Sequence, residues 1–458
     1  MTHEEDRRLE DVREAALRPL APSGRRFWAL MAGLGLLAGW GVVAYITQLV
    51  KGLGVAGYSD KAFWGIYEAN LVAFIGVSYG GALVSAILRL TQAKWRAPIT
   101  RMAEAMALFS LLIGALFAIV HLGRPDRIWR MVVTPNISSP IIWDFVAVMM
   151  YLGATLIFLF LPLIPDIAVL RDRFQQQGGW RARLYRGLAL NWRGLPRQVR
   201  LLERGMTTVA ILIIPIAVIV HSVLSWAFAV TGRPGWHSTI FAPYFVVAAL
   251  YSGVALVILV VAGFRQGYGL ERYITLKHFQ NLAYLMLTLD LLYLYFTFTE
   301  LLTEGYVMTE DIVPVLEALL VGQYALFFWL FILGGGILPL LLVAVPKTRT
   351  IPGIVVASTL VVAGMWLKRL LIVVPAVAHP LIHQVVAGAW GAFRPTWVAI
   401  GITVGAAAAI PLLLMLFFKF FPILAIYEME EIAAEEVHYA VTSPRPAGGM
   451  LSEGGVTQ

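Results

Sequence analysis

A chain of 458 residues that is 59% hydrophobic and only 14% charged cannot cover a globule with polar side chains. A soluble fold is excluded and a polytopic membrane protein is expected. With no cysteine, the chain has no disulfide, no thiolate zinc site and no means of holding an iron–sulfur cluster of its own. The net charge of +8 reads as basic loops at a membrane rather than as a nucleic-acid surface.

Residues 1–26 are charged with mixed sign, and no cleavable signal is expected there. A membrane domain over 27–421 follows. Its apolar runs of about 20 residues lie near 27–50, 64–90, 100–121, 141–162, 204–230, 240–264, 277–302, 315–344, 353–377 and 396–421. Lipid offers the backbone no hydrogen-bond partner, so each run is expected as a helix and the fold as all-α integral membrane. Basic residues crowd the loops after the second, fourth and sixth spans, among them Lys94, Arg96, Arg171, Arg200, Arg265 and Arg272. Those loops, and both termini, are therefore expected on the cytoplasmic side of a bacterial inner membrane. The loop at 163–203 is expected to lie on the anionic inner leaflet. The tail at 422–458 is expected to open with an acidic helix, YEMEEIAAEEVHY, and end in disorder.

An internal repeat is visible. SYGGALVSAIL in the second span aligns with LYSGVALVILV in the sixth, and APITRMAEAM in the third with RYITLKHFQN in the seventh. Parallel four-helix repeats over 64–230 and 240–377 are expected, with the first and tenth spans peripheral.

Ionisable residues inside a bilayer are costly, about 2.5 kcal/mol or more at its centre, and mark functional positions. Glu68 lies about one turn inside the outer end of the second span, His121 closes the third, and Asp144 sits near the start of the fourth. Glu300 is near the outer end of the seventh, His221 and Lys368 lie deeper, and Asp290 is nearest the middle. Structural roles compete for each: solvation at the interface for Glu68 and Glu300, a helix cap for His121, a first-turn acid for Asp144, and snorkelling or pairing with acids for Lys368 and its neighbour Arg369. Tyr79 follows Glu68 by 11 residues, three turns plus about 20°. The two share a face that would suit an amphipathic ring with a long tail, or simply interhelical packing. No phosphate loop, dinucleotide fingerprint, H-E-x-x-H or G-x-S-x-G is present. A bis-histidine haem on His121 and His221 stays open.

Six motifs in order, WGIYEANLVAFIGVSYGGALVSAILRL, KWRAPITRMAEAM, HLGRPDR, PNISSPIIWDF, LIPDIAVLRDR and GWHSTIFAPYFV, resemble the NrfD/polysulfide reductase membrane subunit family. The ten spans and HSVLSWAFAV…GWHSTIFAPYF look most like its alternative complex III branch. The resemblance covers about residues 30–425. It implies two four-helix bundles without haem or bound metal. Quinol, menaquinol or ubiquinol, would be oxidised near the outer face, and a ferredoxin-like iron–sulfur subunit docked outside would take the electrons. It also implies other membrane and cytochrome or molybdopterin-type subunits, with membrane lipids around them. By motif, His121 and Asp144 would accept the protons, with Glu68, Asn70 and Tyr79 beside them.

Oxidising a quinol removes two protons and two electrons. An imidazole near its ordinary pKa of about 6.5 and a partly desolvated carboxylate suit the protons. Arg124, Arg127 and Arg130 are expected to hold an acidic partner face or a lipid headgroup. His221, Asp290, Glu300 and Lys368 are the expected proton path. Three positions depart from the branch: Tyr79 stands where it has a histidine, Ala227 where it has an aspartate, and Lys368 where it has an acid. The expected function is thus quinol oxidation within a respiratory complex. Quinone reduction, a non-catalytic anchor and a secondary transporter remain its rivals.

Overall fold

The computed structural model describes residues 3–59, 62–379, 390–391 and 393–432. Among the described residues, ten helices are long and apolar enough to cross a membrane: Arg25–Lys51, Ile66–Leu90, Lys94–His121, Pro140–Gln175, Pro196–Ala229, Phe241–Tyr268, Leu276–Val307, Ala325–Ala344, Ile351–Ala378 and Trp397–Phe418. They match the ten expected runs in order, and the protein is a multi-pass all-α membrane protein. Proline begins the fourth and fifth spans, where its missing N–H costs nothing. The Thr350 and Thr396 hydroxyls cap the ninth and tenth. Gly269, at φ +64°, closes the sixth by donating its N–H to the Arg265 carbonyl.

Two segments correct the sequence reading. The stretch 163–203 is mostly helix rather than loop. The fourth span runs unbroken through Pro162 and Pro165 to Gln175, a short helix covers Gly179–Leu188, and the fifth span starts at Pro196. Neither proline ends the fourth span, because both are buried and packed. The expected eighth span at 315–344 is two pieces. Val313–Leu320 turns back at Gly322, and the crossing helix begins at Ala325. Its centre, Leu330–Ile337, is a π-helical stretch carrying Gly334, Gly335 and Gly336.

The second span is the most enclosed, with 89% of its apolar window buried, and the first the least, at 11%. That places the second span at the centre and the first at the rim. Close crossings rest on glycine. A Cβ on Gly80 would lie 2.2 Å from the Gly253 carbonyl carbon, and one on Gly364 would lie 2.4 Å from the Gly335 Cα. The first span meets the tenth in the same way, at Gly41 and Gly405.

The N-terminal helix, His3–Leu17, and the segment after the tenth span meet on one face. Ile423 donates its N–H to the Ala16 carbonyl at 3.0 Å, and Arg13 pairs with Glu430 at 2.6 Å. This is the termini-bearing face; the other is the distal face. A helix opens at residue 426 where the acidic helix was expected, and it is described to residue 432. The rest of that expectation, and the expected disorder, lie outside the described residues.

At the termini-bearing face, charges are buried in pairs. Arg101 reaches Asp166 at 2.8 Å and donates to the Leu159 and Pro162 carbonyls. Asp166 in turn accepts the N–H groups of Ile426 and Tyr427, so it caps the last helix. Glu428 lies between Arg89, at 2.6 Å, and Arg96, at 2.5 Å. Glu104 accepts from Ser85 and lies 3.8 Å from Arg101.

Candidate functional site

At the distal face, the same three spans end differently. The second begins at Ile66, the third stops at His121 and the fourth starts at Pro140. Their ends therefore come together and bring Glu68, His121 and Asp144 to one depth. His121 Nδ1 lies 3.9 Å from Glu68 Oε2, too far for a hydrogen bond. That nitrogen is buried without a partner among the described residues, and so is Asp144 Oδ1. Asp144 and Glu68 are neighbours in this cluster. Glu68 and His121 keep 11% and 18% of their side chains exposed, so the cluster is enclosed but reachable.

An aromatic wall closes one side. The Trp64 ring meets His121 edge-on at 5.8 Å, stacks on Trp236 at 5.8 Å and 26°, and faces Phe228 at 6.1 Å. Trp236 is fixed by its Nε1–H on the Ile372 carbonyl, at 2.8 Å. On the other side, Gln48 of the first span donates to the Val120 carbonyl and accepts the Tyr67 hydroxyl proton at 2.6 Å, anchoring the end of the third span. In the loop beneath, burial pushes the Tyr58 phenol well above its usual range. It stays protonated and accepts the Tyr67 N–H at 3.1 Å.

The other expected residues fall into separate groups. Asn70 turns away from the cluster: its amide donates to Thr403 and accepts from Trp366, both at 2.8 Å, tying the second span to the ninth and tenth. Two residues along a helix are about 200° apart, which sets Asn70 on the face opposite Glu68. Tyr79 does lie on the Glu68 side of the helix, deeper in, against His221 at 4.5 Å and Tyr151 at 6.5 Å, and its hydroxyl has no partner among the described residues. His221 shares a small cavity with Tyr244, Tyr293, Lys368 and Arg369. Lys368 lies over the Tyr244 and Phe331 rings, each at 5.6 Å, and reaches Glu300 at 3.7 Å. Asp290 does not line that cavity; its Oδ1 is unpartnered among the described residues and faces the π-helical stretch at Gly336, while its carboxyl neighbours Tyr251, which stacks on Tyr293. The hydroxyl of Tyr251 donates to the Gly335 carbonyl in that same stretch.

In the loop 122–139, Arg124 is engaged within the chain. It forks onto Asp126 with two bonds of 3.0 Å, which hold the Asp126 carboxyl below its usual range. Arg127 and Arg130 are exposed, with Arg130 against Trp129. Among the described residues, no trio of histidine, aspartate or glutamate has the arrangement of a metal site.

Sequence reasoning passed over Trp64 and Trp236, and it read Arg369 only as a residue that could snorkel or pair with acids. The two indoles stand inside the motifs WGIYEANL and GWHSTIFAPYF, so the signal was present but had no chemistry attached to it. Arg369 is 5% exposed and donates to the Met365 and Ala248 carbonyls and to the Ser252 hydroxyl. A buried guanidinium served by neutral acceptors is not something a hydropathy profile reveals.

Fold and site together define a polytopic helical membrane subunit with an unpaired acid–imidazole cluster at one face. The chain belongs to the NrfD family: the family described as Polysulphide reductase, NrfD, matches residues 54–380. Among its relatives is a putative membrane subunit of a dimethyl sulfoxide reductase from Halobacterium salinarum, 28% identical over 91% of this chain and 96% of the relative. A selenate reductase subunit from Mesobacillus selenatarsenatis is 28% identical over 76% of this chain and 82% of its own. The Hdr-like menaquinol oxidoreductase integral membrane subunit of Archaeoglobus fulgidus is 25% identical over 78% and 80%.

Proposed function

We propose that this chain oxidises quinol at the cluster of Glu68, His121 and Asp144 and passes the electrons to an iron–sulfur subunit docked on the distal face. The observation that carries this reading is the pair of buried, unpartnered atoms, His121 Nδ1 and Asp144 Oδ1. Burying polar atoms without partners costs about 1–3 kcal/mol each, and a quinol hydroxyl is a donor of the right kind for both. The ring would lie beside Trp64. His121 takes one hydroxyl proton, and Asp144, with Glu68 beside it, takes the other. Two electrons leave toward the partner's cluster, because a chain without cysteine cannot hold one. Arg127 and Arg130 are free to meet the partner's acids, whereas Arg124 is engaged by Asp126.

The relatives' names support this direction of flow. Two belong to reductases of dimethyl sulfoxide and selenate, which need an electron donor, and the third to a menaquinol oxidoreductase. The same reading includes a proton route through Glu300, Lys368 and His221, supported by adjoining cavities that share Lys368. Asp290 would contribute from the π-helical side. The test is turnover in the assembled complex. His121→Ala and Asp144→Asn should each leave the complex intact and lower quinol-dependent turnover at least ~10-fold, within the general acid–base range. Unchanged turnover in both would sink the assignment, and loss of assembly alone would favour an anchor.

A further inference from the structure

A cleft of about 880 Å³ runs between the first, second, sixth, ninth and tenth spans, and it meets the second at Ala73, Phe74 and Val77, on the face away from Glu68. Its mouth is at the termini-bearing face, where Arg18, Ser23 and Arg26 stand beside Gln266 and Gly267. Its walls are apolar, among them Phe27, Leu256, Phe264 and Leu414, and its floor is Arg369 with Ser252. Among the described residues, no acid lines it and Arg26 has no ion-pair partner. Arg18 donates to the Tyr268 and Gly269 carbonyls, which aligns it at the rim without neutralising it. Lys419 adds a third positive charge nearby, held by the Pro19 and Ala21 carbonyls.

The depth is informative. From Gly267 at the mouth to Ser252 at the floor is 15 residues of one helix, about 22 Å at the usual rise. Half of a bilayer, headgroups included, is about 20–22 Å. The cleft therefore has the length of a lipid in one leaflet, with its positive charge where the headgroup lies and apolar walls where the tail lies. Basic pockets between transmembrane helices on one side of a membrane recognise anionic lipid headgroups. The floor does not call for a polar ligand, since Arg369 is already bonded to Met365, Ala248 and Ser252. We propose that this cleft is a specific site for one anionic phospholipid, its phosphate held by Arg18 and Arg26 and an acyl chain lying along Leu256, Phe264 and Leu414.

Native mass spectrometry of the full chain, purified in its complex in mild detergent and titrated with phosphatidylglycerol or phosphatidylcholine, tests this. One phosphatidylglycerol should be retained in preference to phosphatidylcholine. Arg26→Gln should reduce that preference about fivefold, at about 1 kcal/mol per basic residue near an anionic surface. Lys51→Gln, at the distal end of the same span, should leave it unchanged. Gly263 has nothing within 4 Å of its added Cβ, so Gly263→Trp can project into the cleft without a backbone clash and should expel both lipids. Arg26 is exposed, so its substitution should not disturb folding. Equal retention of the two lipids, no change in Arg26→Gln, or a quinone as the retained molecule would overturn the assignment.

Discussion

The second, third and fourth spans treat buried charge in opposite ways at their two ends. At the termini-bearing end, Arg89, Arg96, Arg101, Glu104, Asp166 and Glu428 all have an ion-pair partner. At the distal end, among the described residues, Glu68 and Asp144 have no cation except a histidine 3.9 Å from Glu68, and that histidine has an idle ring nitrogen. The helices, the lipid and the burial are shared, so the difference lies in the partners. Paired charge holds helices in register. An unpaired buried acid adds nothing to stability, and such groups cluster at functional sites.

Four tests would break or sharpen that distinction. The largest effect belongs to Arg101→Met. It strands Asp166 in the core and should cost about 3–5 kcal/mol, read as a fall in thermal stability of the detergent-solubilised protein. Combining it with Asp166→Asn, which keeps a cap for the last helix, should recover most of that loss. If the double variant is as unstable as the single one, the pair is not the reason for the charge. Next is Glu68→Gln. It should lower quinol-dependent turnover roughly tenfold while leaving the melting temperature unchanged or higher, because it removes an unpaired buried acid. A large loss of stability would mean that Glu68 belongs with the paired class.

Glu300→Gln tests an intermediate case, since Glu300 has Lys368 at 3.7 Å. Proton uptake or release by complexes in liposomes should fall, with turnover changed less than about threefold, below the usual general acid–base range. A turnover loss matching that of Glu68→Gln would place Glu300 in the quinol chemistry instead. The smallest effect is expected at the surface. Arg127→Ala should weaken binding of the iron–sulfur subunit at most about fivefold, as exposed ion pairs do, and the effect should fade at high salt. Arg124→Ala should do less than Arg127→Ala, because Asp126 already engages Arg124.

Much of the fold was legible because ten apolar runs dominate the sequence, and lipid forces each into a helix. The misreadings fell on proline and glycine. The fourth span was expected to stop at 162, yet the helix runs through buried Pro162 and Pro165 and on 13 residues to Gln175. Gly322 looked like part of the eighth span, yet it turns the chain. For the site, alternation of helix direction was enough to place Glu68, His121 and Asp144 at one level. Rotation about the axis was harder. Tyr79 lies on the Glu68 side, as helical spacing implied, but Asn70, only two residues away from Glu68, faces the ninth and tenth spans. Arg101 and Asp166 stand in quoted motifs and were still passed over, because their significance is a contact across 65 positions that only packing reveals.

Asp166 has a consequence for how this protein is made. Its carboxylate caps a helix that begins at residue 426, some 260 positions later in the chain. Glu428, which pairs with Arg96 and shares Arg89 with Glu203 of the fifth span, arrives with that same helix. During synthesis, the second, third and fourth spans therefore enter the membrane with their inner charges incompletely matched. The helix that opens at residue 426 thus acts as a latch, joining the inner ends of spans that were made long before it.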